Sequence, residues 1–121
     1  MSAQEVAQAF VQHYFTQRDA NVDALASLYQ PSSCMTFEGT MVQGGPAIVQ
    51  KLKSVGPVKH QVKGMDVQPS TSSSAMLIFV TGSVSIGSDN PLHFCQMFQL
   101  VSTGPGAYYV HNDIFRLNYG L

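Results

Sequence analysis

Three long β-prone runs fill the second half of this chain: Ala75 to Ile86, Leu92 to Val101 and Tyr108 to Asn118. Turn-forming stretches separate them, Gly87 to Pro91 and Gly104-Pro105-Gly106. Leu77, Phe79, Phe94, Phe98, Ile114 and their neighbours make these runs apolar on both faces over much of their length. A sheet covered by helices on one side alternates apolar with polar residues. Apolar residues on both faces therefore require cover on both sides. Helices can supply one cover, and a second copy of the chain is the natural source of the other. The expected dimer interface comprises Ile114, Phe98 and Phe79. The ordinary alternative is an internal cavity filled by loops.

Helical periodicity is confined to the first half. Ser2 and Glu5 have the spacing of a capping box. Val6, Phe10 and Tyr14, with Val11 and Phe15, then recur at helical spacing, predicting a helix over Ser2 to Arg18. Asn21 is placed to cap a second short helix carrying Val22, Leu25, Leu28 and Tyr29, ended by Gln30-Pro31. A strand is expected at Cys34 to Phe37, then a Glu38-Gly39 turn and a return at Met41-Val42. Gly44-Gly45-Pro46 opens a third helix with Ile48, Val49 and Leu52 on its apolar face, and Gly56-Pro57 stops it. Val58, His60 and Val62 alternate as a strand, Gly64 has the look of a bulge, and Pro69 to Ser74 reads as a turn. Three helices followed by a meander of strands predict an α+β fold, with helices on one face of an antiparallel sheet. No repeat or linker interrupts the pattern, so residues 1–121 are expected to form one domain.

Composition narrows the function. Hydrophobic residues make up 45% of the chain, enough for a core. Charged residues are only 11%, net charge is −1, and no Lys/Arg cluster exists, which argues against nucleic-acid binding. Cys34 and Cys95 lack ligand spacing, so neither zinc nor a disulfide framework is expected, and free thiols fit a reducing compartment. The first ten residues lack the pattern of a signal peptide, and no apolar run approaches ~18 residues.

Candidate catalytic groups are few. His60 near Asp66, and His111 two residues before Asp113, are the possible acid–base pairs. The bland reading of each is a His–Asp hydrogen bond that ties strands together. His13 reads as structural or surface. Gly44-Gly45 lacks the lysine and spacing of a phosphate loop. No cofactor is expected. Glu38 beside Phe37 forms an apolar spot with an acidic rim, of the kind that steers a basic partner. Asp89 lies at a turn tip.

The strings Phe10-Val11-Gln12-His13-Tyr14, Thr36-Phe37-Glu38-Gly39, Gln96-Met97-Phe98 and Asn112-Asp113-Ile114-Phe115-Arg116-Leu117 resemble the nuclear transport factor 2 family, in order and along the whole chain. The ending Phe115-Arg116-Leu117-Asn118-Tyr119 is most similar to plant-type and protist-type members. The resemblance implies a cone-like fold of three N-terminal helices on a strongly curved antiparallel sheet, dimerising sheet to sheet. It implies binding of the GTPase Ran in its GDP-bound form, whose aromatic side chain enters an apolar cavity edged by carboxylates. It also implies contacts with phenylalanine–glycine nucleoporins and a place in cytoplasm and nucleus, at the nuclear pore. Phe37 falls where the family usually has a cavity tryptophan. Glu38 matches the Ran-contacting glutamate. Ser88, Asp89 and Asn90 match the acidic loop, with one carboxylate where relatives often have more. Ile114 matches an apolar interface position. Ala3, with Ala7 one turn on, falls where animal-type members use a tryptophan to hold nucleoporin repeats, a residue that plant-type members also lack.

Two other readings use the same fold. A ketosteroid isomerase-like or dehydratase-like enzyme works with an Asp or His in the cavity, which directs attention to Asp66, His60 and Asp113. A docking domain of a larger RNA-processing factor is the third, disfavoured because the chain stops at Leu121.

Overall fold

The computed structural model describes residues 2–118; Tyr119, part of the resemblance, lies outside the described residues. Helix α1 runs Ala3–Ala20. Its capping box closes as expected: Ser2 Oγ accepts from the Glu5 N–H at 3.1 Å, and Glu5 Oε1 accepts from the Ser2 N–H at 3.0 Å. Ala7, Val11, Tyr14, Phe15 and Arg18 form its buried stripe. A 3₁₀ helix, Val22–Leu28, follows. Asn21 makes no side-chain cap there; its N–H instead bonds Gln17 O at 2.7 Å and closes α1.

Strand β1 (Tyr29–Phe37) turns into β2 (Thr40–Gln43), then α2 (Gly45–Val55). Gln30-Pro31 was expected to precede the strand but lies inside it. The pairing of β1 with β6 is irregular between Tyr29 and Cys34, so no ladder bond is asked of the proline nitrogen. Ser33 Oγ fills in, accepting from the Gln30 N–H at 2.8 Å. The remaining strands are β3 (Val58–Pro69), β4 (Ala75–Ile86), β5 (Leu92–Gly104) and β6 (Ala107–Asn118). They form one curved, open six-stranded sheet in the order β2-β1-β6-β5-β4-β3.

One pairing corrects the expected antiparallel sheet. β1 lies parallel to β6 (Met35 opposite Asp113, Phe37 opposite Phe115), so the sheet is mixed. A parallel partner needs a long crossover, and here everything from β2 to β5 supplies it. The Gly64 bulge is present: the β3–β4 register shifts between Val62 and Gly64. Next to it Gly82 is obligatory, because a Cβ there would meet Gln61 O at 2.1 Å.

The inner face of the sheet carries Ile78, Val80, Val84, Phe94, Phe98, Leu100 and Phe115, packed under α1 and α2 with Tyr14, Leu25, Ile48 and Leu52. The outer face carries Phe79, Ile114 and Met41, exposed by 43%, 46% and 65%. Phe98 therefore does not belong to an interface on the outer face. Side chains alternate along β5, and Phe98 points inward, with its ring 5.1 Å from Phe10 and 4.8 Å from Tyr14. Ala7 is likewise fully buried under the sheet and offers no surface to a nucleoporin; Ala3 is exposed.

Candidate functional site

The open end of the fold, between α2 and the sheet, holds a small apolar cavity. Phe37 ends β1 on the inner face. Its ring stacks on Phe115 at 4.6 Å, which stacks on Phe94 at 5.6 Å. Lys51 of α2 places its ammonium 5.7 Å from the centre of the Phe37 ring, a cation–π contact. Phe37, Phe115, Leu52, Val55 and Ile86 wall the cavity, whose volume is ≈ 10 Å³, the space of about one water. Tyr14, Arg18, His60 and Gln96 give it a polar floor.

Glu38 follows Phe37 directly. It occupies the left-handed region at φ 50, and Gly39 follows at φ 89, so the hairpin turns in two residues. The Glu38 N–H donates to Phe115 O at 3.1 Å, and the Leu117 N–H donates to Glu38 Oε1. The carboxylate is thus tied to the backbone of β6 through Oε1. This tether was not legible in the sequence, where Glu38 reads as an ordinary turn acid. Ile86 leads from the cavity wall into the Gly87 to Pro91 turn. The Gly87 N–H donates to Pro57 O at 2.8 Å and the Asp89 N–H to Ile86 O at 3.2 Å, leaving Ser88, Asp89 and Asn90 exposed. Phe37 and Ile86 thus both line the cavity, and Glu38 and the Gly87 to Pro91 turn follow them directly along the chain without lining it themselves.

The catalytic pairings do not form. His60 bonds Asp19, not Asp66: Nδ1 lies 2.7 Å from Asp19 Oδ1, and its backbone N–H reaches Asp19 Oδ2 at 2.8 Å. Asp66 sits on the opposite face of the sheet, because the bulge after Val62 intervenes. Burial lowers the His60 pKa, opposed by the hydrogen bond that its ring donates to Asp19 and by the Asp19 charge. His111 and Asp113 are separated by a second irregularity: Gln99 pairs with Asn112 and Leu100 with Val110, leaving His111 as the extra residue. Its buried Nδ1 has no partner among the described residues. His13 is exposed on α1.

Asp113 instead anchors a buried network. Tyr29 Oη donates to Oδ2 at 2.8 Å, Gln96 Nε2 to Oδ1 at 2.8 Å, and Tyr14 Oη lies 3.5 Å from Oδ2. Burial raises the Asp113 pKa to about 6 against the pull of these donors, and burial with the nearby Asp113 charge raises both tyrosines. Asp113 is absent from the cavity lining. Arg18, 4% exposed, reaches the cavity floor, and its Nη1 has no acceptor among the described residues. Sequence reasoning missed Arg18, although its position on the stripe of Val11, Tyr14 and Phe15 marks it as inward-facing.

Comparison with known proteins bears on the family and the fold. The family model described as the nuclear transport factor 2 (NTF2) domain matches residues 6–117. The chain is 50% identical to nuclear transport factor 2 of Oryza sativa subsp. japonica, over 99% of this chain and 100% of that one. It is 47% identical to nuclear transport factor 2B of Arabidopsis thaliana, over 98% and 97%. The solved structure of nuclear transport factor 2 from Cryptosporidium parvum superposes with a TM-score of 0.87 at 39% identity, covering 95% of this chain and 94% of that one. Homologues of this name support a role in nuclear transport. A matching family model over nearly the whole chain, together with relatives at this identity, places the chain in the nuclear transport factor 2 family.

Proposed function

We propose that this chain is a homodimeric, non-catalytic adaptor that carries GDP-bound Ran into the nucleus. The observation that supports this best is the cavity mouth. An aromatic wall, Phe37 on Phe115, stands beside a carboxylate already oriented by the Leu117 N–H. A partner's aromatic side chain has a surface to stack on, and its basic neighbour has the Glu38 carboxylate to meet. Asp89, Ser88 and Asn90 add acceptors across the mouth. The cavity is narrow, so seating a ring requires its walls to move apart.

The same geometry favours binding over catalysis. Asp113, whose carboxyl is raised by burial to about 6, is held by Tyr29 and Gln96 and does not line the cavity. Contacts with phenylalanine–glycine nucleoporins fall to the exposed surface at Ala3, where α1 meets the end of β3. The protein then shuttles between cytoplasm and nucleus and concentrates at the pore. Titration calorimetry with Ran in its GDP and GTP forms tests the reading. Binding of the GDP form alone is expected. Equal binding of both forms, or of neither, overturns it.

A further inference from the structure

Among the described residues, two charges beside the outer apolar patch find no partner within the subunit. Asp66 and Arg116 make no ion pair or side-chain hydrogen bond among the described residues. Both flank the apolar patch. Strand register fixes their positions: Asp66, Phe79, Met97 and Ile114 form one row across β3, β4, β5 and β6. Gly64, Thr81, Cys95 and Arg116 form the next row. Asp66 and Arg116 are thus three strands apart and offset by two residues, about 14 Å across and 7 Å along. That gap is too wide for an ion pair within one sheet.

We infer that in the dimer Arg116 pairs with Asp66 of the partner subunit, twice, and that these two pairs set the register of one sheet on the other. This rests on the dimer of the proposed function and goes beyond it. An isologous interface has a twofold axis lying in its plane. For Arg116 to face the partner's Asp66, the axis must bisect the line between the two positions. On this register it passes between Phe79, Thr81, Cys95 and Met97. The same rotation, treating the patch as locally flat, sets Ile114 between Leu77 and Phe79 of the partner subunit, about 4 Å from the latter. One axis therefore satisfies both stranded charges and covers both exposed apolar residues of the central strands. The apolar patch alone specifies no register, because sliding apolar surfaces costs little. Paired charges do, since a slipped register sets a charge against apolar surface. Lys59, a further charge on β3 with no ion pair among the described residues, lies three rows away and has no part in the pairing.

Trans-complementation tests the inference. Arg116→Asp and Asp66→Arg are made separately, and dimer dissociation is measured by sedimentation. Each reversal places like charges together at both symmetric positions, so each homodimer should weaken by about a hundredfold. Mixing the two variants creates a heterodimer in which both pairs are again opposite in sign. Its dissociation constant should return to within about tenfold of the wild type. Recovery in the mixture also shows that each variant is folded. A mixture no tighter than the separate variants, with circular dichroism showing both folded, overturns the pairing. A monomeric wild type would instead overturn the dimer itself.

Discussion

The Tyr29 hydroxyl donates to Asp113 Oδ2 at 2.8 Å, joining the first residue of β1 to the middle of β6 across 84 positions of sequence. It is one of the contacts that hold the parallel pairing of the two strands. Tyr29→Phe keeps the ring and leaves the carboxylate with a donor missing. Loss of a buried partner costs about 1–3 kcal/mol. Chemical denaturation should show a loss in that range, and an unchanged midpoint would mean that Asp113 is satisfied without Tyr29.

The Asp113 carboxyl makes stability pH-dependent. Its pKa rises from 3.8 to about 6 on folding. The folded state therefore binds more protons than the unfolded state between those values, and stability falls as pH rises through the window. The full displacement corresponds to about 3 kcal/mol of stability lost above pH 6. Asp113→Asn cannot ionise. The difference in unfolding free energy between wild type and variant should shift in favour of the variant from pH 4 to pH 6, by an amount of that order. A difference that stays flat with pH would show that Asp113 keeps an ordinary pKa.

Glu38 has two separable roles, a tether and a charge. Glu38→Gln retains an oxygen for the Leu117 N–H and removes the charge. Its stability should stay within about 1 kcal/mol of wild type, while affinity for GDP-bound Ran falls about tenfold or more. Glu38→Lys removes both, so it should also lose about 1–2 kcal/mol of stability through the unmet N–H. Calorimetry and thermal unfolding on both variants separate the effects. Undiminished binding by a folded Glu38→Gln protein would take Glu38 out of the Ran site.

Ile114 is 46% exposed in the single subunit and sits in the row of Met97 and Phe79. In the proposed dimer, Ile114→Glu places a charge twice at a symmetric apolar interface. Sedimentation at micromolar concentration should find monomer. A persistent dimer would move the interface elsewhere.

Much of this molecule was readable from local chemistry. The capping box at Ser2 and Glu5 and the Gly44-Gly45-Pro46 helix entry rest on contacts a few residues apart, while the Gly64 bulge and the bounds of β4 show in the residue types of their own segments. Such contacts are encoded where they occur. Apolar residues on both strand faces likewise announced an outer surface that includes Phe79 and Ile114. Family membership was readable too, from strings spread over the chain.

What escaped the sequence turned on parity and on distance. A strand's side chains alternate, so one bulge reverses which residues face the core. The irregularity at His111 separates it from Asp113, and the one after Val62 puts His60 and Asp66 on opposite faces. Phe98, expected at the interface, faces the core by the same alternation, and Met97 takes the outer row. The parallel β1–β6 pair, the Tyr29–Asp113–Gln96 network and the Glu38 tether join residues tens of positions apart. No local propensity records such partners. They exist only once the sheet has closed its register, because only then does each buried donor find the acceptor it lacks in its own segment.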